Sequence, residues 1–179
     1  MSPEPIEPDV KDWTWVLDRP CPECGFDATN VRHAEVGDHI RRDASEWEHR
    51  LRGPDAGARQ RPDVWSTLEY GCHVRDVHRI FDHRVRLMLT EDVPVFPNWD
   101  QDVTAIADEY AAQHPATVAG ELVDAANAVA DTYARVPVHA WPRRGLRSNG
   151  STFTVASIAL YHLHDVVHHS WDVTTKEQP

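Results

Sequence analysis

The densest chemistry in the sequence lies in YHLHDVVHHSWD (161–172), where four histidines and two aspartates fall within about three helical turns. Residues four apart on a helix share a face. His164 and His168 can therefore hold one ion between them, and Asp165 and His169 can do the same in the neighbouring register. Imidazole nitrogen and carboxylate oxygen are the ligands of zinc, iron and nickel sites. Either pair supplies only half a coordination shell, so the remainder must come from another element. The best donor is His73, within WSTLEYGCHVRDVHRIF (65–81), beside Gly71 and Cys72, whose small side chains allow a neighbouring helix to approach. His33, His39, His49, His78, His83, His114 and His139 are scattered among charged residues and read as solvated rings.

Two further groups carry potential chemistry. Cys21-Pro-Glu-Cys24 is a lone CxxC. It reads as a packed, reduced pair, as a redox pair, or as half of a metal site. A structural zinc site would need a second ligand pair, and His33 and His39 fit that spacing only loosely. Cys72 is one residue from His73, hence turned about 100° away from it on a helix, and reads as a small core residue. In the run Arg143-Arg144-Gly145-Leu146-Arg147, Arg144 and Arg147 could grip a carboxylate or phosphate at the mouth of a site, or simply be solvated. No GxGxxG, Walker loop or nucleophile elbow is present, so nucleotide and serine-hydrolase chemistry have no support.

Helices must position these groups. From Thr29 to Leu51, Val31, Ala34, Val36, Ile40, Ala44, Trp47 and Leu51 recur at intervals of two to four, with charged residues between them, which predicts an amphipathic helix. GPDAGARQRPD (53–63) is a loop, after which Asp63 can cap a second helix over 64–89. EDVPVFPNWDQ (91–101) breaks the pattern. A third helical region, 102–135, contains Pro115 and should kink or split there. After a long loop (136–151), Ser151 or Thr152 can cap a fourth helix through Trp171. With no extended strand-like alternation, this predicts an all-α four-helix bundle over 29–175. It is preceded by an irregular N-terminal arm, 1–28, whose Trp13, Trp15 and Phe26 can pack onto it.

Composition narrows the partners. A chain of 179 residues can bury a full core without disulfides or a structural metal. Its net charge of −11 argues against nucleic acid, whose recognition needs a basic face, and against anionic lipid. No apolar run approaches the roughly 18–20 residues of a membrane span. The acidic, proline-rich start, MSPEPIEPDVKDW, lacks the features of a signal peptide, so a cytoplasmic location is expected. The basic residues are nearly all arginine, with Lys11 and Lys176 the exceptions, as in proteins of high-GC genomes.

The four-helix pattern, the Trp65-x7-His73 element and the late His164-x3-His168 helix resemble the DinB-like superfamily over about residues 29–173. That group includes the bacillithiol and mycothiol S-transferases and the N-terminal domain of mycothiol-dependent maleylpyruvate isomerase. The resemblance implies a divalent metal, zinc first and nickel or iron next, held by one histidine of the second helix and two ligands of the last. Carried across, these are His73, His164 and His168, a set that keeps a long-reaching ligand at each position. Asp165 and His169 are the alternative pair, because Asp165-x3-His169-Ser-Trp-Asp matches the maleylpyruvate isomerase pattern. Whichever pair is not ligating would lie next door and orient the other. The implied function is a metal-dependent S-transferase or isomerase, using a small-molecule thiol such as mycothiol against a small electrophile. A non-catalytic metal-binding or stress-response protein and a metal-dependent hydrolase are the alternatives, with homodimerisation left open.

Overall fold

The structure, a computed structural model, describes Ile6 and residues 12–176, so residues 1–5 and 7–11 of the expected arm lie outside it. The chain folds as an all-α four-helix bundle built from α1 (Val36–Leu51), α2 (Thr67–Thr90), α4 (Pro115–Ala134) and α5 (Val155–Lys176), with a short α3 (Gln101–Ala107). On α1 the buried side chains are Val36, Ile40, Ala44, Trp47 and Leu51, the three-and-four spacing of one apolar stripe. Helix α4 and helix α5 each pack against both α1 and α2, which brings the polar faces of α2 and α5 together. Gly71 permits a close approach within this packing. A Cβ there would stand 2.8 Å from Leu51 Cδ2, inside contact distance. No described helix is long and apolar enough to cross a membrane.

The helix ends depart from the sequence reading for local reasons. The first helix starts at Val36, since residues 28–30 and 33–35 form separate 3-10 turns, the first capped by Asp27 accepting from the Thr29 N–H at 2.9 Å. Asp63 pairs with Arg61 instead of capping, and α2 begins at Thr67 behind a Ser66–Glu69 capping box. There the Glu69 N–H donates to Ser66 Oγ at 3.2 Å, and the Ser66 N–H donates to Glu69 Oε2 at 2.8 Å. Arg59 clamps the same carboxylate. We expect Ser66→Ala to cost about 1 kcal/mol in denaturant unfolding, because it leaves a buried helix end with an unanswered N–H. An unchanged midpoint would show that the box contributes nothing.

The 102–135 region splits as its proline predicts, with Pro115 at the first position of α4, where a missing N–H costs nothing. The two segments read as loops contain strands. Strand β1 (Val95–Phe96) runs parallel to β2 (Arg144–Arg147), which pairs antiparallel with β3 (Thr152–Thr154). Two to four residues are too few to show an alternation in sequence. Thr152 is therefore in a strand. The cap of α5 falls later, where Ser157 N–H donates to Thr154 Oγ1 at 3.0 Å and Thr154 N–H donates to Ser157 Oγ at 2.9 Å.

Candidate metal centre

Helix α5 presents its metal-ligating residues on two adjacent stripes, because consecutive residues are turned by about 100°. The stripe of Asp165 and His169 faces α2. There it meets His73, and one ligand atom from each of the three lies within 4.8 Å of the others. The stripe of His164 and His168 faces the N-terminal arm, where the same condition holds for a group with Cys21 and Cys24. The expected trio of His73, His164 and His168 is thus not what the structure brings together. The alternative pair is the one beside His73. The reason is rotational: α5 is turned so that α2 sees the second stripe.

His73 is fully buried. Its ring stacks on Trp99, with centroids 5.2 Å apart and planes 8° from parallel, and sits edge-on to His169 at 4.5 Å. Its Nε2 is 3.6 Å from Asp165 Oδ1, and His169 Nε2 is 3.5 Å from the same oxygen. Both nitrogens of His73 and Oδ1 of Asp165 are buried without a hydrogen-bond partner among the described residues. Such atoms are costly to leave unsatisfied. A divalent cation among them would answer all three residues at once, so the donor set fits a metal. His169 is held from behind: Asp172 Oδ2 lies 3.1 Å from Nδ1, fixing the ring so that Nε2 faces the group.

The electrostatics favour the ligating protonation states. Burial, reinforced by His169, pushes the His73 imidazole below its ordinary pKa, so it is neutral. For Asp165, burial acts to raise the pKa, but His73 and His169 outweigh it and hold the carboxyl well below the usual range. A neutral imidazole and an ionised carboxylate are the forms that bind metal.

Asp165 and His169 line a cleft of about 930 Å³, with His73 buried behind them. Trp13, Trp65, Trp99 and Tyr161 supply aromatic walls, and Arg84 and Arg147 supply positive charge. Arg84 is buried, with its guanidinium over the Phe81 and Phe96 rings at 5.3 and 5.0 Å and an N–H donated to the Pro97 carbonyl at 3.1 Å. Neither arginine forms an ion pair among the described residues. Arg147 hydrogen-bonds Asn149 and Ser151 and lies over Tyr161. Arg144, expected to share the substrate-gripping role, is exposed and does not line the cleft. Residues three apart on a strand point to opposite faces, so β2 cannot turn both arginines inward.

The sequence reading missed Trp99, Asp172 and Arg84. Asp172 stands in the histidine-rich segment and is three residues from His169, which was a usable signal. Trp99 sits in a proline-rich breaker and Arg84 among other charges, and nothing in the sequence separates them from solvated neighbours. His78 is a correction: it is fully buried, not solvated, with Nδ1 3.0 Å from His162 Nε2, whose Nδ1 is 2.9 Å from the Tyr133 hydroxyl. His49, His83, His114 and His139 are exposed as expected.

Neither protein-family models nor curated protein sequences match this chain. A solved structure does: YfiT from Bacillus subtilis aligns over 80% of this chain and 85% of its own, with a TM-score of 0.65 at 14% identity. The two proteins share a fold. YfiT is described as a probable metal-dependent hydrolase with an unusual four-helix bundle topology. The match bears out the four-helix bundle expected from the sequence.

Proposed function

We propose that His73, Asp165 and His169 hold one divalent metal ion, zinc first, and that the protein is an enzyme joining a sugar-bearing thiol of the mycothiol type to a small anionic electrophile. The observation that carries this reading is a three-donor group, two of whose residues line a large cleft: three protein ligands leave a coordination position for a reactant. When bound, such an ion supplies Lewis acidity, lowering the pKa of a coordinated thiol or water so that a nucleophile is available near neutral pH. The protein's own part is positional. Asp172 orients His169, Trp99 fixes the plane of His73, and the aromatic walls offer stacking surfaces for a sugar. A volume of about 930 Å³ is generous for water alone and suits a reactant of drug-like size.

Arg84 and Arg147 supply the anion preference. Arg84 is pushed down to about 10, by burial first and then by the charge of Arg147, and it stays cationic at neutral pH. The two arginines stand beside carboxylates of the same cleft, Asp12 near Arg147 and Asp165 near Arg84. Neither arginine is in an ion pair among the described residues, which leaves both able to meet a substrate's acidic group. We expect Arg84→Met and Arg147→Met each to raise KM for an anionic electrophile about tenfold, with kcat less affected, while Arg144→Ala leaves both unchanged. A KM unmoved in all three variants would remove the anion subsite.

The deciding experiment is metal-dependent conjugation. Metal-loaded protein mixed with mycothiol and a chlorobimane-type acceptor should form the thioether faster than the uncatalysed reaction, and faster than with glutathione or cysteine. The second reading, a hydrolase, is favoured by the description of YfiT. Ester or amide cleavage with no thiol dependence would select it. Neither activity at full metal occupancy would favour a non-catalytic metal-binding role.

A further inference from the structure

The CxxC of the arm is not alone in space. Cys21 and Cys24 meet His164 and His168 of α5, and one ligand atom from each lies within 4.8 Å of all the others. Cys21 Sγ is 3.8 Å from His168 Nδ1, across 147 positions of sequence. The arm is shaped to deliver both sulfurs together. The Cys21 N–H donates to the Phe26 carbonyl at 2.8 Å and the Gly25 N–H to the Cys21 carbonyl at 2.9 Å, closing a tight turn around Cys21-Pro22-Glu23-Cys24. Gly25 closes that turn at φ +74°, a region that suits glycine. The Phe26 N–H points at the Cys24 sulfur, a contact that stabilises a thiolate. All three cysteines are free thiols.

The histidines complete the set. His164 is 3% exposed, and its Nε2 is buried without a hydrogen-bond partner among the described residues. With Nδ1 of His168 turned to Cys21, its Nε2 lies 3.6 Å from Glu23 Oε2, the arrangement by which a carboxylate orients a ligating imidazole. Trp13 packs on both rings, with centroids 5.5 and 4.9 Å away, and Phe26 sits edge-on to His164 at 5.5 Å. Two sulfurs and two nitrogens make a full tetrahedron, with C-x2-C and H-x3-H spacings that zinc sites use. Around zinc, ligand atoms stand about 3.3–3.8 Å apart, so a small contraction of the group is enough.

We propose that Cys21, Cys24, His164 and His168 bind a second metal ion, zinc, in a closed structural site that pins the N-terminal arm to α5. Binding releases both thiol protons to solvent and leaves a neutral Zn(Cys)2(His)2 group beside the rings of Trp13 and Phe26. Burial pushes the Cys24 thiol up to about 11 without metal, so the ion has to displace a proton that is firmly held. The site differs from the one at His73 in its donors: four instead of three, with soft sulfur among them. Because His168 and His169 are neighbours, anchoring the first also holds the second at its rotation toward α2.

The test uses the full chain, purified without a polyhistidine tag. Wild-type protein should hold about two equivalents of zinc, and cobalt substitution should give intense near-ultraviolet thiolate-to-cobalt absorption. Cys21→Ser with Cys24→Ser should remove that absorption and one equivalent, with helical circular dichroism unchanged because the arm lies outside the bundle helices. His73→Ala should keep the thiolate band. The inference is separable from the proposed function, since the band reports only sulfur ligation. Wild-type cobalt protein without the band overturns it, whether or not the cysteine variant folds. So does a Cys21–Cys24 disulfide in freshly purified, metal-saturated protein.

Discussion

A His73→Ala variant should lose about one equivalent of metal, while His114→Ala, which alters an exposed ring, should lose none. Removing one of three ligands is more severe than removing an orienting partner, which already costs about 10–100-fold in affinity; a loss beyond a hundredfold is therefore expected. Competition against a calibrated chelator measures it directly. The same residue should behave in the opposite sense without metal. His73 is fully buried and neither ring nitrogen has a hydrogen-bond partner among the described residues, so it carries a desolvation cost that folding must offset. Replacing it with the similarly sized, apolar leucine should raise the stability of the metal-free protein by about 1–3 kcal/mol. In excess zinc the order should reverse, since only the wild type gains binding energy from the folded state. Denaturant melts of both proteins, with EDTA and with zinc, would show crossing stabilities. Parallel losses in both conditions would mean that His73 is a packing residue and no ligand.

The second large effect is electrostatic and lies where α1 meets α5. Asp43 accepts from the Ser170 hydroxyl at 2.6 Å through Oδ1, while its Oδ2 is buried without a hydrogen-bond partner among the described residues. Burial pushes its pKa from 3.8 up to about 6; Ser170 and Arg50 pull it down, and Glu46 adds to the rise. The sign follows from linkage. A carboxyl raised in the folded state binds its proton more tightly there than in the unfolded chain, so this residue's contribution to stability falls as pH rises from about 4 to about 6. Above that window the ionised group is a net cost of about 2–3 kcal/mol, since a tenfold change in proton affinity is worth about 1.4 kcal/mol. Asp43→Asn keeps an acceptor for Ser170 and removes the charge. It should therefore stabilise the protein by about that amount at pH 7, with the advantage disappearing toward pH 4. Unfolding midpoints of the two proteins across that range, at fixed metal content, give the difference. An advantage equal at both ends would place the effect in packing rather than in charge.

Much of the bundle was legible because helices write their burial into sequence at short range. The stripe on α1, the proline that splits 102–135 and the breakers at 53–63 and 91–101 each depend on neighbours within a few residues. Cap positions were less legible, since several residues near each helix start are competent and the choice depends on partners such as Arg59. Burial of His78 was hidden for the same reason: its neighbours are charged, and its partner His162, itself bonded to Tyr133 of α4, comes from α5.

At the site, sequence alone determined that α5 would carry two candidate pairs four residues apart, on adjacent stripes, and that the candidate His73 would come from another helix. It also determined that a CxxC would precede the bundle. What it left open was the rotation of α5 about its own axis. A turn of about 100° exchanges His164 and His168 for Asp165 and His169 as the pair facing α2, and no local propensity distinguishes those two outcomes. Only the packed structure decides, because the rotation is set by which side chains fill the core against α1 and α2. The same packing brings the arm's cysteines to the stripe left over. Half-sites separated by 147 positions cannot be paired by spacing, since a long loop brings its ends together at little extra entropic cost and so leaves no mark on the sequence between them.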